Sequence, residues 1–403
     1  MMRHLIKGFA ALATLAVSGV AALLAVLWME HRTGVTLPAP TGSFAVGRAI
    51  YVWADDVPDP LAPVPGTKRE LVAWIWYPAV ARSAATMDDY LPTPWRTALD
   101  RLRGPLLKQF LTRDLSRVRA HSIRGAEISP QERSYPVVLM RAGLAALTAD
   151  YTTLAEDLAS HGYVVVGFDA PYRSWVVVLH GGRAIARVPQ NNADLLSGPQ
   201  QEQLANKLVQ AWSADMGFAL DQLERLNASD PSGKFLGRLD MQQVGVFGHS
   251  LGGATTLQFC HDDSRCKAGI DVDGAPLGSV IGEGVTQPFL FLLSDHENES
   301  IAETSQVEAN IRSIYDRLPR DRRLEIVIHG GNHFLFSDDG ALLKSHIVLR
   351  TLRALGILGI DGRRQLAITA YCVHSFFDAY LKRADVSRLK ISSPLYPEIR
   401  ILE

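Results

Sequence analysis

Val244-Gly-Val-Phe-Gly-His-Ser-Leu-Gly-Gly253 is the stretch on which the fold of this chain turns. A short apolar run ends at Phe247. Gly248-His249-Ser250-Leu251-Gly252 then fits the pattern Gly-x-Ser-x-Gly, ahead of residues that can start a helix. A strand, a tight bend and a helix in that order hold a serine with its hydroxyl exposed. Glycine is expected on both sides of the serine, because a side chain there would meet the neighbouring strand or helix. The bland alternative is a glycine-rich turn with an idle serine.

A serine hydroxyl needs a base to take its proton as it attacks, and imidazole has the right pKa. In this strand order the base follows the last strand. Leu324-Glu-Ile-Val-Ile-His329 reads as that strand and Gly330-Gly331-Asn332-His333-Phe334 as the loop after it. His333 is the expected base. His329 is the nearest rival, but it still sits in the strand. His249 adjoins the serine, and its side chain is expected to point away. A buried carboxylate should orient the imidazole. Asp273 follows the strand Ala268–Val272, and Asp295 follows Phe289–Leu293. Both keep the chain order Ser, Asp, His, and the residues alone leave them level. Asp271 alternates with Asp273 and is expected to face the other way. Two N–H donors must hold the oxyanion. One is the Leu251 amide. The other is expected from Arg141-Ala142-Gly143-Leu144, with Leu144 first and Ala142 second. This chemistry requires no metal and no cofactor.

Outward from the motif, strands alternate with helices. Val137–Met140, Tyr163–Phe168, Val244–Phe247, Ala268–Val272, Phe289–Leu293 and Leu324–Ile328 are apolar almost throughout, as strands buried on both faces are. Gln200 to Leu226 carries Leu204, Leu208, Trp212, Met216, Leu220 and Leu223 on one helical face. The expectation is an α/β fold with a mostly parallel central sheet and helices on both faces. Ser250, Asp273, Asp295 and His333 all fall at carboxyl ends of strands, where ligands bind in such sheets. Phe44–Trp53 and Leu71–Tyr77 are expected as an antiparallel edge pair. Residues 87–121 read as a helical insertion. Residues 173–198 read as a hairpin, Trp175–Leu179 and Ala184–Val188 flanking His180-Gly-Gly-Arg183, and are expected to form a lid over the site. His346 and His374 lie on two closing helices and are set aside as structural.

The chain has 403 residues and a formal net charge of -1, so no global field points to nucleic acid. Residues 1–7 contain Arg3 and Lys7, and 8–29 are uncharged and mostly Ala, Leu and Val. That length crosses a bilayer, and the flanking charges keep the amino terminus cytoplasmic. Leu27-Trp28-Met29-Glu30 is a poor cleavage site, so an uncleaved signal anchor is favoured over a signal peptide. Residues 30–42 would be the tether and 43–403 the exported domain. Cys260 and Cys266 stand open between a disulfide and two thiols.

With these residues in view the chain resembles the α/β-hydrolase superfamily. Within it the chain is similar to the platelet-activating factor acetylhydrolases of plasma and intracellular type II kind, and to their bacterial relatives. The likeness spans roughly residues 43 to 380. It rests on Gly-His-Ser-Leu-Gly-Gly at 248–253, Asp-Leu-Ala-Ser-His-Gly-Tyr at 157–163, Ala-Gly-Ile-Asp-Val-Asp-Gly at 268–274, Gly-Asn-His-Phe at 331–334 and Trp-Tyr-Pro at 76–78. The resemblance implies that Asp273, rather than Asp295, is the acid. It implies hydrolysis of short-chain acyl esters, on a phospholipid-like or other small ester, through an acyl-enzyme. One departure is plain. The family's oxyanion loop commonly reads Ser-His-Gly-Leu-Gly, and Met140-Arg-Ala-Gly-Leu144 stands here. Arg141 is then expected to put positive charge near the pocket mouth. Two other readings are carried: a polyesterase of cutinase type or another lipase on the same fold, and a membrane-tethered binding protein without turnover.

Overall fold

Runs such as Val137-Val-Leu-Met and Val164-Val-Val are apolar at every position because alternate side chains enter two different cores. Val138, Met140, Val165 and Phe247 face one core; Val137, Leu139, Val164, Val166, Val244 and Val246 face the other. The computed structural model describes residues 2–402, apart from 82–84, 105–109, 111, 296–300, 357–358 and 386–392.

In chain order the strands are β1 (Val35–Thr36), β2 (Ala45–Pro58), β3 (Lys68–Ala79), β4 (Met87–Asp89), β5 (Val118–Arg124), β6 (Tyr135–Arg141) and β7 (Val164–Asp169). A separate antiparallel hairpin follows, β8 (Val176–Val178) and β9 (Ala184–Ala186). The rest are β10 (Leu239–His249), β11 (Cys266–Val272), β12 (Phe289–Leu293), β13 (Arg323–Ile328) and β14 (Ile399–Leu402). The main sheet runs β1-β5-β2-β3-β7-β6-β10-β11-β12-β13-β14, with β4 on β5. From β7 through β13 every neighbour is parallel, while β2·β3, β3·β7 and β13·β14 are antiparallel.

The helices are α1 (Met2–Arg32), α2 (Thr93–Leu102), α3 (Thr152–Ser160), α4 (Gly198–Ala228), α5 (Leu251–Asp262), α6 (Val280–Glu283), α7 (Ile301–Tyr315), α8 (Asp339–Leu342), α9 (His346–Ala354) and α10 (Gly362–Leu381). Leu154 and Leu158 of α3 and Phe376 and Phe377 of α10 bury one face of the sheet. Met216 and Leu220 of α4, Leu257 and Phe259 of α5, and Ile311 and Ile314 of α7 bury the other.

Three regions differ from the sequence reading. Among the described residues of 87–121, only 93–102 is α-helix. Val118–Arg124 joins the main sheet parallel to β1 and β2, so β2 and β3 are not its edge. Nor do residues 33–42 hang as a loose tether. Leu37 is buried, Thr41 N–H and Oγ–H donate to Asp157 Oδ1 at 2.9 and 2.7 Å, and Gly42 N–H donates to Ser160 Oγ at 2.9 Å. A Cβ on Gly42 would lie 2.2 Å from the Ser160 carbonyl oxygen, so only glycine allows that approach. The apolar span within α1 is Ala11–Arg32, with mean hydropathy 2.2 and none of its most apolar window buried. Its last turn is nevertheless held by the body. Lys344 Nζ donates to the Leu27 carbonyl at 2.6 Å, Arg113 to that of Glu30 at 3.0 Å, and the Glu30 carboxylate accepts from Ser345 N–H at 2.6 Å. Cys260 and Cys266 form a disulfide, and Cys372 is a buried free thiol.

Candidate active site

Register assembles the site. Gly248 of β10 pairs with Arg141 of β6, and His249 with Val272 of β11. Val272 pairs with Leu292, and Leu293 with Val327. The residues that follow these pairs therefore emerge side by side at the carboxyl edge of five adjacent parallel strands.

Ser250 sits between β10 and α5 with φ 57° and ψ −126°, a conformation unfavourable for a side chain. Its neighbours make room. A Cβ on Gly248 would lie 2.1 Å from the Gly252 carbonyl oxygen, and one on Gly252 2.3 Å from that of Arg141. The flanking glycines are thus required by the backbone of the bend itself and by the loop after β6.

Ser250 Oγ is 3.1 Å from His333 Nε2, and His333 Nδ1 is 2.8 Å from Asp273 Oδ2. A carboxylate only accepts, so Nδ1 carries the proton and Nε2 faces the serine as an acceptor. Asp273 is fixed in turn: its Oδ1 accepts from Ser294 N–H at 2.7 Å and its Oδ2 from Ser294 Oγ–H at 2.6 Å. Asn332 shapes the turn before the imidazole, its side chain accepting from Phe334 N–H at 3.0 Å. The two rivals from the sequence reading pair with each other. Asp295 Oδ2 lies 2.7 Å from His329 Nδ1 and accepts from Gly330 N–H at 3.0 Å. Asp271 is buried beneath α5, where its Oδ1 accepts from Gly274 N–H at 2.9 Å; burial raises its carboxyl well above the ordinary range.

The loop after β6 turns tightly. Ala146 N–H donates to the Gly143 carbonyl at 3.2 Å, with Ala145 at φ 66°. Gly143 N–H is occupied by the Tyr151 hydroxyl oxygen at 3.2 Å, whereas the Leu144 amide, second in the turn, has no partner within it. The Leu251 amide opens α5, where a helix leaves its N–H groups unpaired. Leu144 and Leu251 pack against a small cluster of Leu61, Ala193, Leu208, Ala211 and Trp212. The expected hairpin forms, but its valines are buried with Trp95 and Leu99 of α2. From 173–198, the residue clustered with these two leucines is Ala193.

The Arg141 expectation fails. Its guanidinium is buried, 3.8 Å from the Trp212 ring centroid, and donates to the Phe168 carbonyl at 3.1 Å. It supports the wall behind the loop and puts no charge at the mouth. His249 is likewise no bystander. Its ring is buried between Tyr151 and the His333 loop, and burial, reinforced by the nearby His333, pushes its pKa down to about 3. Tyr151, Ser294 and the inward turn of His249 were not legible in the sequence. Only His249 carried any local signal, by standing inside the motif.

One cluster has metal-ligand chemistry. Asp157, His161 and His374 bring three ligand atoms within 4.8 Å of one another. The two imidazoles stack at 4.0 Å with 19° between their planes. An ion bound by both would lie near both ring planes about 2 Å from each nitrogen, and rings stacked face to face at this angle have no shared in-plane point within that reach. Thr41 Oγ is 2.9 Å from His161 Nε2, and His374 Nδ1 is 2.9 Å from Asp157 Oδ2. The cluster is a hydrogen-bonded clamp on residue 41.

Comparison with known proteins gives a consistent picture. The family model described as platelet-activating factor acetylhydrolase, isoform II, matches residues 29–388. The chain is 27% identical over 271 residues to the platelet-activating factor acetylhydrolase of Canis lupus familiaris, covering 62% of this chain and 56% of that protein. It is 25% identical over 285 residues to a probable 1-alkyl-2-acetylglycerophosphocholine esterase of Arthroderma benhamiae, covering 66% of each. The matched stretches thus span about half to two thirds of these curated relatives. The solved structure of a ferulic acid esterase from Streptomyces cinnamoneus superposes with a TM-score of 0.72 at 25% identity, covering 92% of this chain and all of that one.

Proposed function

The chain belongs to the platelet-activating factor acetylhydrolase, isoform II, family, and from that premise we propose that it is a serine esterase of short-chain acyl esters. The observation that carries the reading is the unbroken line from Ser250 Oγ through His333 to Asp273. Ser250 attacks the ester carbonyl while His333 Nε2 accepts its proton. Asp273 holds the imidazole in the required tautomer and stabilises it once charged. The tetrahedral oxyanion is met by the Leu144 and Leu251 amides. His333 then protonates the departing alcohol, and water cleaves the acyl-enzyme by the same steps in reverse. The packed cluster beside Leu144 and Leu251 supports a small acyl group. The relatives' names, acetylhydrolase and 1-alkyl-2-acetylglycerophosphocholine esterase, support an acetyl ester of a glycerophospholipid type.

Ser250→Ala should abolish both hydrolysis of nitrophenyl acetate and labelling by a fluorophosphonate. Asp273→Asn should lower turnover by about 10³-fold or more, while Asp295→Asn leaves it within twofold. Undiminished activity in Ser250→Ala would move the nucleophile elsewhere; a severe loss in Asp295→Asn would move the acid. A second reading, an aromatic acyl ester, is favoured by the ferulic acid esterase that matches along its whole length. Rates on methyl ferulate against nitrophenyl acetate and decanoate decide between them.

The protein is also proposed to stay anchored by α1, with its catalytic body outside the cytoplasm. The disulfide supports an oxidising compartment, and the polar groups that hold the last turn of α1 support an uncleaved helix. Release into the soluble fraction on carbonate extraction would refute the anchor.

A further inference from the structure

We infer that Tyr151 and His249 form a single hydrogen-bonded brace that ties the oxyanion loop to the loop carrying the base. This rests on the esterase reading above, and concerns two residues that reading does not use.

Four groups lie in series. Gly143 N is 3.2 Å from Tyr151 Oη, Tyr151 Oη is 2.7 Å from His249 Nδ1, and His249 Nε2 is 2.9 Å from the His333 carbonyl oxygen. Only one placement of protons satisfies them all. The His333 carbonyl can only accept, so Nε2 carries the hydrogen. Nδ1 is then an acceptor, so the Tyr151 hydroxyl donates to it. The tyrosine oxygen is left to accept from Gly143 N–H. Every donor meets an acceptor, and reversing any one bond would set two donors or two acceptors face to face. The brace needs a neutral imidazole, and complete burial keeps it neutral.

Its two ends are the parts that must stay in register during acyl transfer. At one end Gly143 lies against the nucleophile bend, where a Cβ would be 3.3 Å from both Ser250 Cβ and the His249 carbonyl oxygen. Fixing the Gly143 amide sets the turn from which Leu144 presents its own. At the other end, the bond to the His333 carbonyl sets the backbone from which the imidazole projects. Neither end is otherwise joined to the other by covalent neighbours, since the loops are about 190 residues apart in the chain. Tyr151 and His249 are positioning residues: neither bonds to Ser250 Oγ or His333 Nε2, and His249 meets His333 at its carbonyl and by ring packing at 4.6 Å.

The test compares Tyr151→Phe, His249→Phe and the double variant in the full-length, detergent-solubilised protein, with nitrophenyl acetate as probe. His249→Gln, which keeps one donor and one acceptor, serves as the rescue. The brace predicts a fall in kcat of at least tenfold for each single Phe variant with KM within about twofold. The double variant should be no worse than the weaker single, because one chain can be broken only once. His249→Gln should recover part of the loss. Wild-type kcat in Tyr151→Phe, or losses that multiply in the double variant, would overturn the brace. So would a loss that tracks only the folded fraction measured by circular dichroism. These outcomes are separate from failure of the esterase reading, which would appear as activity surviving in Ser250→Ala. If His249→Phe does not fold, Tyr151→Phe alone still decides, since it removes one oxygen atom.

Discussion

At the scale of single residues, the glycines around Ser250 are not equivalent. Gly252 faces the Arg141 carbonyl oxygen with 2.3 Å for a Cβ, and neither backbone can yield without moving Ser250 or the loop after β6. Gly252→Ala should therefore eliminate activity or folded protein, read by fluorophosphonate labelling of the soluble fraction. Around Gly143 the nearest atoms stand 3.3 to 3.4 Å away, so Gly143→Ala should keep activity within about tenfold. His249 adds a pH dependence. Its native pKa is pushed to about 3 from an unfolded value of 6.5, so between those values the unfolded chain binds a proton that the native ring refuses. Stability thus rises with pH across that window and falls on acidification, by about 1.4 kcal/mol per pH unit for this group. Urea midpoints at pH 7 and pH 5 should converge for His249→Gln relative to wild type. An equal acid loss in both would show that this imidazole is not the cause.

At the scale of elements, one buried arginine joins three segments. Arg173, just past β7, donates to both Asp59 oxygens at 2.9 and 2.7 Å and to Asp215 of α4 at 3.0 and 2.8 Å, with all three side chains out of solvent. Burial alone would lower its pKa, but the two carboxylates outweigh that and hold the guanidinium charged. Arg173→Leu would leave two carboxylates without compensation, and should cost about 3–5 kcal/mol by urea denaturation. Asp59→Asn should cost less. The elements also show where pattern reading stops. Long helices and buried parallel strands announce themselves by period. β5 does not: its inward positions are Val118, Ala120 and Ser122, too small and polar to stand out, and its partners β1 and β2 are distant in sequence. The hairpin was legible from its turn, His180-Gly-Gly-Arg183, but what it packs on was not.

At the scale of the whole molecule, the end of α1 and the segment after it are bonded to the body. Thr41 and Gly42 are bonded to α3, Leu37 is buried, and Arg113 and Lys344 hold the end of α1. Removing residues 1–29 takes away the exposed apolar part of α1 and leaves Glu30, Leu37, Thr41 and Gly42 in place. That shortened chain should be soluble, and should hydrolyse nitrophenyl acetate at near the full-length rate. Removing 1–42 also strips the buried leucine and the bonds to Asp157 and Ser160, and should lower stability by several kcal/mol, about 2 of them from Leu37 alone. Equal melting temperatures for the two shortened chains would mean that the segment contributes nothing to the fold.

The sequence by itself determined the alternation of strand and helix, the bend at Ser250 and the candidacy of His333, because each is written in local period, glycine placement and chain order. Strand and chain order left Asp273 and Asp295 level, since both follow strands and no local pattern reports where a carboxylate points; only the family resemblance favoured Asp273. Tertiary structure decided that pairing, seating Asp273 on Ser294 beside His333 and Asp295 on His329. It also decided that Arg141 supports a wall and that His249 and Tyr151 meet. These are contacts between residues far apart in the chain, formed only when strand register brings the ends of β6, β10, β11, β12 and β13 to one edge of the sheet.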